Sequence, residues 1–260
     1  MSTASEIGEV VRTERVGAIA QVCLHRPPLN ILDLDTIGRL REKLEQALSD
    51  PDVRLIEIHG SAKAFCAGVE IRDHFPERAA AMLAPFHALI RSVLYARAPL
   101  IAVVQGFCLG GGMELALAAD FVLASEDATF GQPEIRVGCF APVASVLLPC
   151  LIPEKKALEL LLTSKTISGI EAERLGLVNR LARASQLDAE LESFRRELLN
   201  KSSAVLALAR KAARLPSRVS FEAALREAER IYLDELLKTE DVTEGIEAFL
   251  EKRDPEWKGR

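Results

Sequence analysis

An α/β fold is predicted by three features of this 260-residue sequence. Short apolar, partly β-branched runs alternate with stretches of helical periodicity, glycine-bearing turns follow two of those runs, and the last part of the chain turns wholly helical. A chain of this length can bury one large core with a smaller helical appendage. The division is placed at residue 199, with residues 1–199 as the core and residues 200–260 as a helical lid or assembly region.

Residues 18–24 (AIAQVCL) read as a strand that ends in the turn-forming HRPPLN. Over residues 35–48, Ile37, Leu40, Leu44 and Leu48 recur at helical spacing, with Asp33 or Asp35 as the N-cap. Residues 55–58 are a strand, 76–94 a helix, 100–104 (LIAVV) a buried strand and 110–118 a glycine-led helix. After one more short strand at 121–124 the strand-rich part ends. Helices are expected over 143–151, 155–162, 169–175, 188–199, 204–215, 221–237 and 242–251.

Composition narrows the function. At 49% hydrophobic and 27% charged the chain is an ordinary globular one, and its net charge of -5 provides no basic field for nucleic acid. The basic run Lys201, Arg210, Lys211, Arg214 and Arg218 reads as a solvated helix face rather than an RNA site. Five scattered cysteines without a CxxC pair argue for a reducing cytoplasm, and four histidines without HxxxH or HExxH spacing argue against metal. The N-terminus lacks a signal-peptide pattern, and no run of eighteen apolar residues predicts a membrane span.

Two turns can present backbone N–H groups: KAFCAGVE (63–70) and GFCLGGGME (106–114). Successive glycines let a ligand approach the main chain, and a helix starting there adds its positive end. Two such donors converging on one point would form an oxyanion hole, although triple glycine also serves tight turns and close packing. The segments fit neither a Walker loop nor a dinucleotide fingerprint. Glu114 lies in the apolar stretch MELALAAD, where a carboxylate is costly to bury without partners or work. Glu134, in FGQPEI, stands at a loop position able to reach a cleft, and two such carboxylates could hold one water as base and acid. Each could instead be a surface or capping glutamate. Cys66 and Cys108 sit in the two turns without a histidine base in sequence and read as small buried residues. Leu83, Phe86 and Phe140 are candidates for an apolar substrate wall, with core packing the alternative.

Taken in order, KAFCAG, QGFCLGGGMELALAADFVLAS and ATFGQPEIRVG resemble the crotonase (enoyl-CoA hydratase/isomerase) superfamily, and the likeness runs from HRPPLN to FLEKRDPEWKG. The resemblance implies a crotonase-like spiral core of ββα repeats with a C-terminal helical region, a homotrimer or homohexamer, and an acyl-CoA thioester as substrate. Coenzyme A would be part of the substrate, with no separate cofactor. It further implies an oxyanion hole at the N–H groups of Val69 and Gly111, and a catalytic pair Glu114 and Glu134. Arg26, Leu29, Glu70 and Ile71 would touch CoA, and Lys252 and Lys258 would meet its phosphates, from a neighbouring subunit in one arrangement. Retention of both glutamates favours hydration.

Two departures stand out. Many members have Asp where Glu70 stands, and the family's glycine-rich PGxGG is replaced by FAPVASVLLP (140–149), which remodels the wall near the water site. FGQPEIRVGCFAPVASVLLP, with HFPERAAAMLAPFHALIRSVL and EGIEAFLEKRDPEW, is similar to the cyclohexa-1,5-diene-1-carbonyl-CoA hydratases of anaerobic benzoyl-CoA degradation. The competing readings are an acyclic enoyl-CoA hydratase, a Δ3-Δ2 isomerase, a thioester hydrolase, and a noncatalytic CoA-binding or assembly protein.

Overall fold

The computed structural model describes residues 9–260 and, within them, the side chains of all but residues 216–219. Strands β1 (Val11–Val16) and β2 (Ile19–Leu24) form an antiparallel hairpin that turns at Gly17, φ 60°. Helix α1 (Leu34–Ser49) follows. Of the two expected caps, Asp33 serves: its carboxylate accepts from the Thr36 N–H at 2.9 Å, whereas Asp35 pairs with Arg39 one turn on.

Three strand–strand–helix passes come next: β3 (Leu55–His59), β4 (Ala64–Cys66) and α2 (Pro76–Leu94); β5 (Leu100–Val104), β6 (Phe107–Leu109) and α3 (Gly111–Ala118); β7 (Phe121–Ser125), β8 (Thr129–Gly131) and α4 (Pro142–Leu151). Then α5 (Glu154–Thr163), β9 (Thr166–Ser168), α6 (Gly169–Leu175), β10 (Arg180–Ala182) and α7 (Leu187–Leu199) close the core. In each pass the first strand enters a sheet of order β1-β2-β3-β5-β7-β10 and the second enters another of order β4-β6-β8-β9. This is the spiral of ββα units that the sequence resemblance implied.

The large sheet is parallel from β2 to β10 and covered on both faces, which is why its central strands are near-continuous apolar runs. Alternate residues of β5 divide between the two faces. Leu100, Ala102 and Val104 join the main core, while Ile101 and Val103 pack with Leu187, Leu191 and Phe194 of α7.

The C-terminal region consists of α8 (Ser203–Ala213), α9 (Leu215–Arg230), a π-helical turn (Ile231–Glu235), a short 3-10 turn (Leu236–Lys238) and α10 (Glu240–Glu251). Phe221, Leu225, Tyr232, Val242 and Ile246 from this region pack into the same apolar cluster as the core strands.

Several expectations need correction. The expected end of strands after residue 124 is wrong, since β8, β9 and β10 follow, and β1 was not foreseen. β8, β9 and β10 are three residues each, too short for period-two alternation to register. The helix expected over 221–237 begins at Leu215 and gives way to the π-helical turn at Ile231. The basic run is not simply a solvated face either. Arg210 and Arg214 are largely buried and both pair with Asp120, at 2.6 and 2.9 Å, because the side-chain direction of α8 turns them onto the end of the β5–β7 layer. The side chain of Arg218 and the N-terminal residues 1–8, on which the signal-peptide reading rests, lie outside the described residues. Among the described residues no helix is long and apolar enough to cross a membrane, and all five cysteines are free.

Candidate active site

Strands β4, β6 and β8 run parallel and adjacent in the small sheet, so their C-terminal ends lie side by side. The turn after β4 carries Gly68 and Val69, the turn after β6 carries Gly110 and Gly111, and the turn after β8 carries Pro133 and Glu134. Ligand sites gather at such strand ends because the chain leaving each strand has unpaired backbone groups.

Both glycine turns are sterically compelled. Gly68 has φ 123° and Gly110 φ 52°, and a Cβ on Gly110 would collide with the Glu134 carboxylate. A Cβ on Gly111 would come within 2.6 Å of Val69 Cγ2 and 3.2 Å of the Phe86 ring, which shows how closely the two turns meet. Leu32 donates to the Gly68 carbonyl and accepts from Glu70, which leaves the Val69 N–H turned away without a backbone acceptor. The Gly111 N–H opens α3 and so has no acceptor within the helix. Two neighbouring donors are thus left for a ligand.

Glu114, in the first turn of α3, is buried, and its Oε1 accepts from the Ala144 N–H at 2.8 Å, where α4 begins. Burial pushes its pKa up to about 7, against the lowering effect of the Ala144 and Val143 N–H groups. Glu134 begins a 3-10 turn (Glu134–Val137), and its Oε2 is buried without a hydrogen-bond partner among the described residues. Burial first, and the charge of Glu114 second, raise its pKa to about 8. The two carboxyls therefore share protons near neutral pH, with Glu134 the more firmly protonated.

Two connected spaces meet at this point. An outer cleft of about 370 Å³ is bordered by Glu70, Ile71, Gly110, Arg136 and Phe249 among others. An inner chamber of about 20 Å³ is bordered by Glu114, Glu134, Gly111 and an apolar wall. The inner volume is the size of one water site. Val69, His74 and Glu134 border both spaces and form the neck between them. Leu83, Phe86 and Phe140 do line the inner chamber, joined by Met82 and Pro142, while the first two are also core residues. A larger cavity of about 560 Å³ lies under α8, but it is remote from the strand ends and its Asp120, Arg210 and Arg214 are paired with one another. Chemistry, not size, selects the smaller pair of spaces.

The sequence-derived candidates separate into groups. Val69, Gly111, Glu114 and Glu134 converge, and Glu70 and Ile71 line the outer cleft. Leu29 supports that cleft from behind, its carbonyl accepting from the Ala67 N–H at 3.0 Å. Arg26 holds its own loop, pairing with Asp33 at 2.7 Å and donating to the Ile31 carbonyl at 2.8 Å. Lys252 ends α10 in an exposed left-handed conformation, and Lys258 pairs with Glu240 at 3.2 Å; neither borders the cleft. Cys66 and Cys108 are fully buried, and burial raises the Cys66 thiol to about 12 and drives that of Cys108 up as well.

Sequence reading missed His74, Arg136, Tyr232 and Phe249. For His74 a signal existed, since it stands five residues past Val69 in IRDHFPE. Tyr232 had none, because it reaches the site from 158 residues away.

Comparison with known proteins identifies the family. Residues 14–260 match the family model described as enoyl-CoA hydratase/isomerase. A cyclohexa-1,5-dienecarbonyl-CoA hydratase of Thauera aromatica is 38% identical over 95% of each chain. A probable enoyl-CoA hydratase of Mycobacterium bovis is 37% identical over 96% of this chain and 97% of its own. Among solved structures, an enoyl-CoA hydratase from Mycobacterium avium subsp. paratuberculosis superposes with a TM-score of 0.86 at 26% identity, covering 96% of this chain and 98% of that one. The chain belongs to the enoyl-CoA hydratase/isomerase family, the crotonase superfamily. Within it, the chain is an enzyme of hydratase type.

Proposed function

We propose that this enzyme adds water to cyclohexa-1,5-diene-1-carbonyl-CoA, giving 6-hydroxycyclohex-1-ene-1-carbonyl-CoA, as a step of anaerobic benzoyl-CoA degradation in the cytoplasm. The observation that carries hydration is the one-water chamber bounded by two carboxyls whose pKa values burial has raised, beside two unsatisfied N–H groups. The Thauera relative supports the cyclic acyl group, and so does the enclosing wall of Leu83, Phe86 and Phe140.

The thioester oxygen is held by the N–H groups of Val69 and Gly111. Glu114, the more readily ionised of the two because the α4 N–H groups oppose the effect of burial, takes a proton from the water, whose oxygen bonds to the β-carbon of the ring. The electron pair of the broken double bond moves toward the thioester oxygen, and the two N–H groups stabilise the extended enolate. Glu134 then gives its proton to the far end of the diene, a 1,4-addition. Proton transfer between the two carboxyls restores the starting state. Water is the sole co-reactant, so no cofactor is needed.

Glu70 and Ile71 would contact CoA from the cleft wall, with Arg26 and Leu29 ordering the loop beneath. Lys252 and Lys258 would serve the phosphates of a neighbouring copy in a homotrimer or homohexamer. Exposed Leu162, Val205 and Leu208 favour such association.

The test is turnover of the cyclic dienoyl-CoA beside crotonyl-CoA, with products identified by chromatography and mass spectrometry. Selective formation of the 6-hydroxy product is expected. Preference for crotonyl-CoA would discard the cyclic substrate, and hydration of neither would discard the mechanism.

A further inference from the structure

Among the residues that form the neck, His74 has no role in the mechanism above, yet its placement is specific. It is about nine-tenths buried and, like Glu134, borders both the outer cleft and the inner chamber. Its Nδ1 is 2.9 Å from the hydroxyl of Tyr232, which is itself fully buried on the π-helical turn between α9 and α10. Burial, with the charge of the nearby Cys139 a lesser cause, drives the pKa of the Tyr232 hydroxyl up, so the hydroxyl keeps its proton. Among the described residues His74 hydrogen-bonds through Nδ1 alone, which leaves its Nε2 without a protein partner.

The direction of the hydrogen bond follows from donor and acceptor strength. A phenol O–H is a good donor and its oxygen a poor acceptor, whereas the bare nitrogen of a neutral imidazole is a good acceptor. The Tyr232 O–H therefore donates to His74 Nδ1. With Nδ1 occupied as an acceptor, the proton of the ring sits on Nε2. Burial lowers the pKa of His74 to about 4, so the ring stays neutral at working pH and keeps this single tautomer. A neutral imidazole N–H of fixed direction is a donor that carries no counter-charge to disturb the adjacent carboxyls.

We infer that His74 Nε2–H is a third hydrogen-bond donor at the neck, directed at the polar or charge-accumulating part of the bound acyl thioester, with Tyr232 as the positioning residue that fixes its tautomer. This rests on the reading that the site processes an acyl-CoA. It adds a polar pole to a wall that is otherwise formed by Leu83, Phe86 and Phe140. A donor that acts on charge developing in the transition state contributes to kcat more than to binding.

The experiment compares His74→Phe, His74→Gln and Tyr232→Phe on whichever thioester the wild type turns over best, measuring kcat, KM and direct thioester binding. His74→Phe should lower kcat about tenfold to a hundredfold with KM changed by less than about threefold. His74→Gln, whose amide retains an N–H, should recover a substantial part of the loss. Tyr232→Phe should fall between wild type and His74→Phe, because the ring loses its tautomer lock and keeps its place. Wild-type kcat in His74→Phe would overturn the inference, as would a loss expressed wholly in KM. His74→Gln no better than a correctly folded His74→Phe would also overturn it, by pointing to packing alone. Because the substrate is chosen by wild-type turnover, failure of these variants to respond is distinguishable from failure of the functional reading, in which the wild type itself would be inactive.

Discussion

Two buried glutamate sites in this molecule have opposite chemistry. Glu57, on β3, is fully buried, and its carboxylate is met by Arg195 Nε at 2.6 Å, Arg195 Nη2 at 2.7 Å, His59 at 2.9 Å and Gln21 at 3.1 Å. Burial alone would raise its pKa, but the hydrogen bonds and charges of Arg195 and His59 outweigh burial and lower it to about 2. Glu114 and Glu134 are just as apolar in their surroundings but receive no cation, and their pKa values rise to about 7 and about 8. The lesson is that burial does not mark a carboxyl as functional. Withheld partners do, because a carboxyl without a counter-ion remains able to exchange its proton near neutral pH.

The sharpest way to test this contrast is to neutralise the unpaired carboxyls. Glu114→Gln and Glu134→Gln should each lower kcat by about 10²–10⁴-fold with thioester binding largely intact, as expected for removal of a general acid or base. In the wild type, activity should peak between about pH 7 and about pH 8, where one carboxyl is ionised and the other protonated. Near-normal turnover in either variant would place the chemistry elsewhere.

The second test removes the cation from the satisfied site. Arg195→Leu leaves Glu57 buried without its main partner and should destabilise the fold by roughly 3–5 kcal/mol in chemical denaturation. The kcat of the folded fraction should stay within about twofold of wild type, since Arg195 ties α7 to the large sheet and does not border the site. An unchanged denaturation midpoint would mean that Glu57 is held by its other contacts. The pH signs also differ. The stability that Glu57 contributes is complete above its unfolded pKa of 4.5 and is lost as pH falls toward about 2.

The smallest effect is a gain. Because the folded-state pKa of Glu134 is raised, the folded state binds its proton more tightly than the unfolded chain, and stability declines as pH climbs from 4.5 to about 8. Glu134→Gln removes that decline. Its Tm should match or exceed wild type, with the difference growing as pH rises from 5 to 8. A difference that shrinks with rising pH in calorimetry would show that Glu134 has a partner in the folded state.

The site was legible in sequence to the extent that it depends on local backbone. Gly68 and Gly110 occupy positive φ, and Gly111 and Gly112 are crowded by Val69 and Cys66, so steric demands are written directly as glycine. Glu114 could be singled out because its neighbours MELALAAD are apolar. Glu57 could not be sorted from it on the same grounds, since LIEIH is equally apolar and the deciding Arg195 is 138 residues away.

From its own order of residues, the chain determines the alternation of strand and helix, the two glycine turns, the pair of glutamates, and the family to which these motifs belong. Each depends on conformational preferences or spacings within a few residues. Tertiary structure alone decided that three short parallel strands end together, that α4 offers its first N–H groups to Glu114, that no cation reaches Glu134, and that Tyr232 closes on His74. Hydrogen bonding and desolvation depend on which distant groups arrive, and a three-residue strand carries too little pattern to announce its partners.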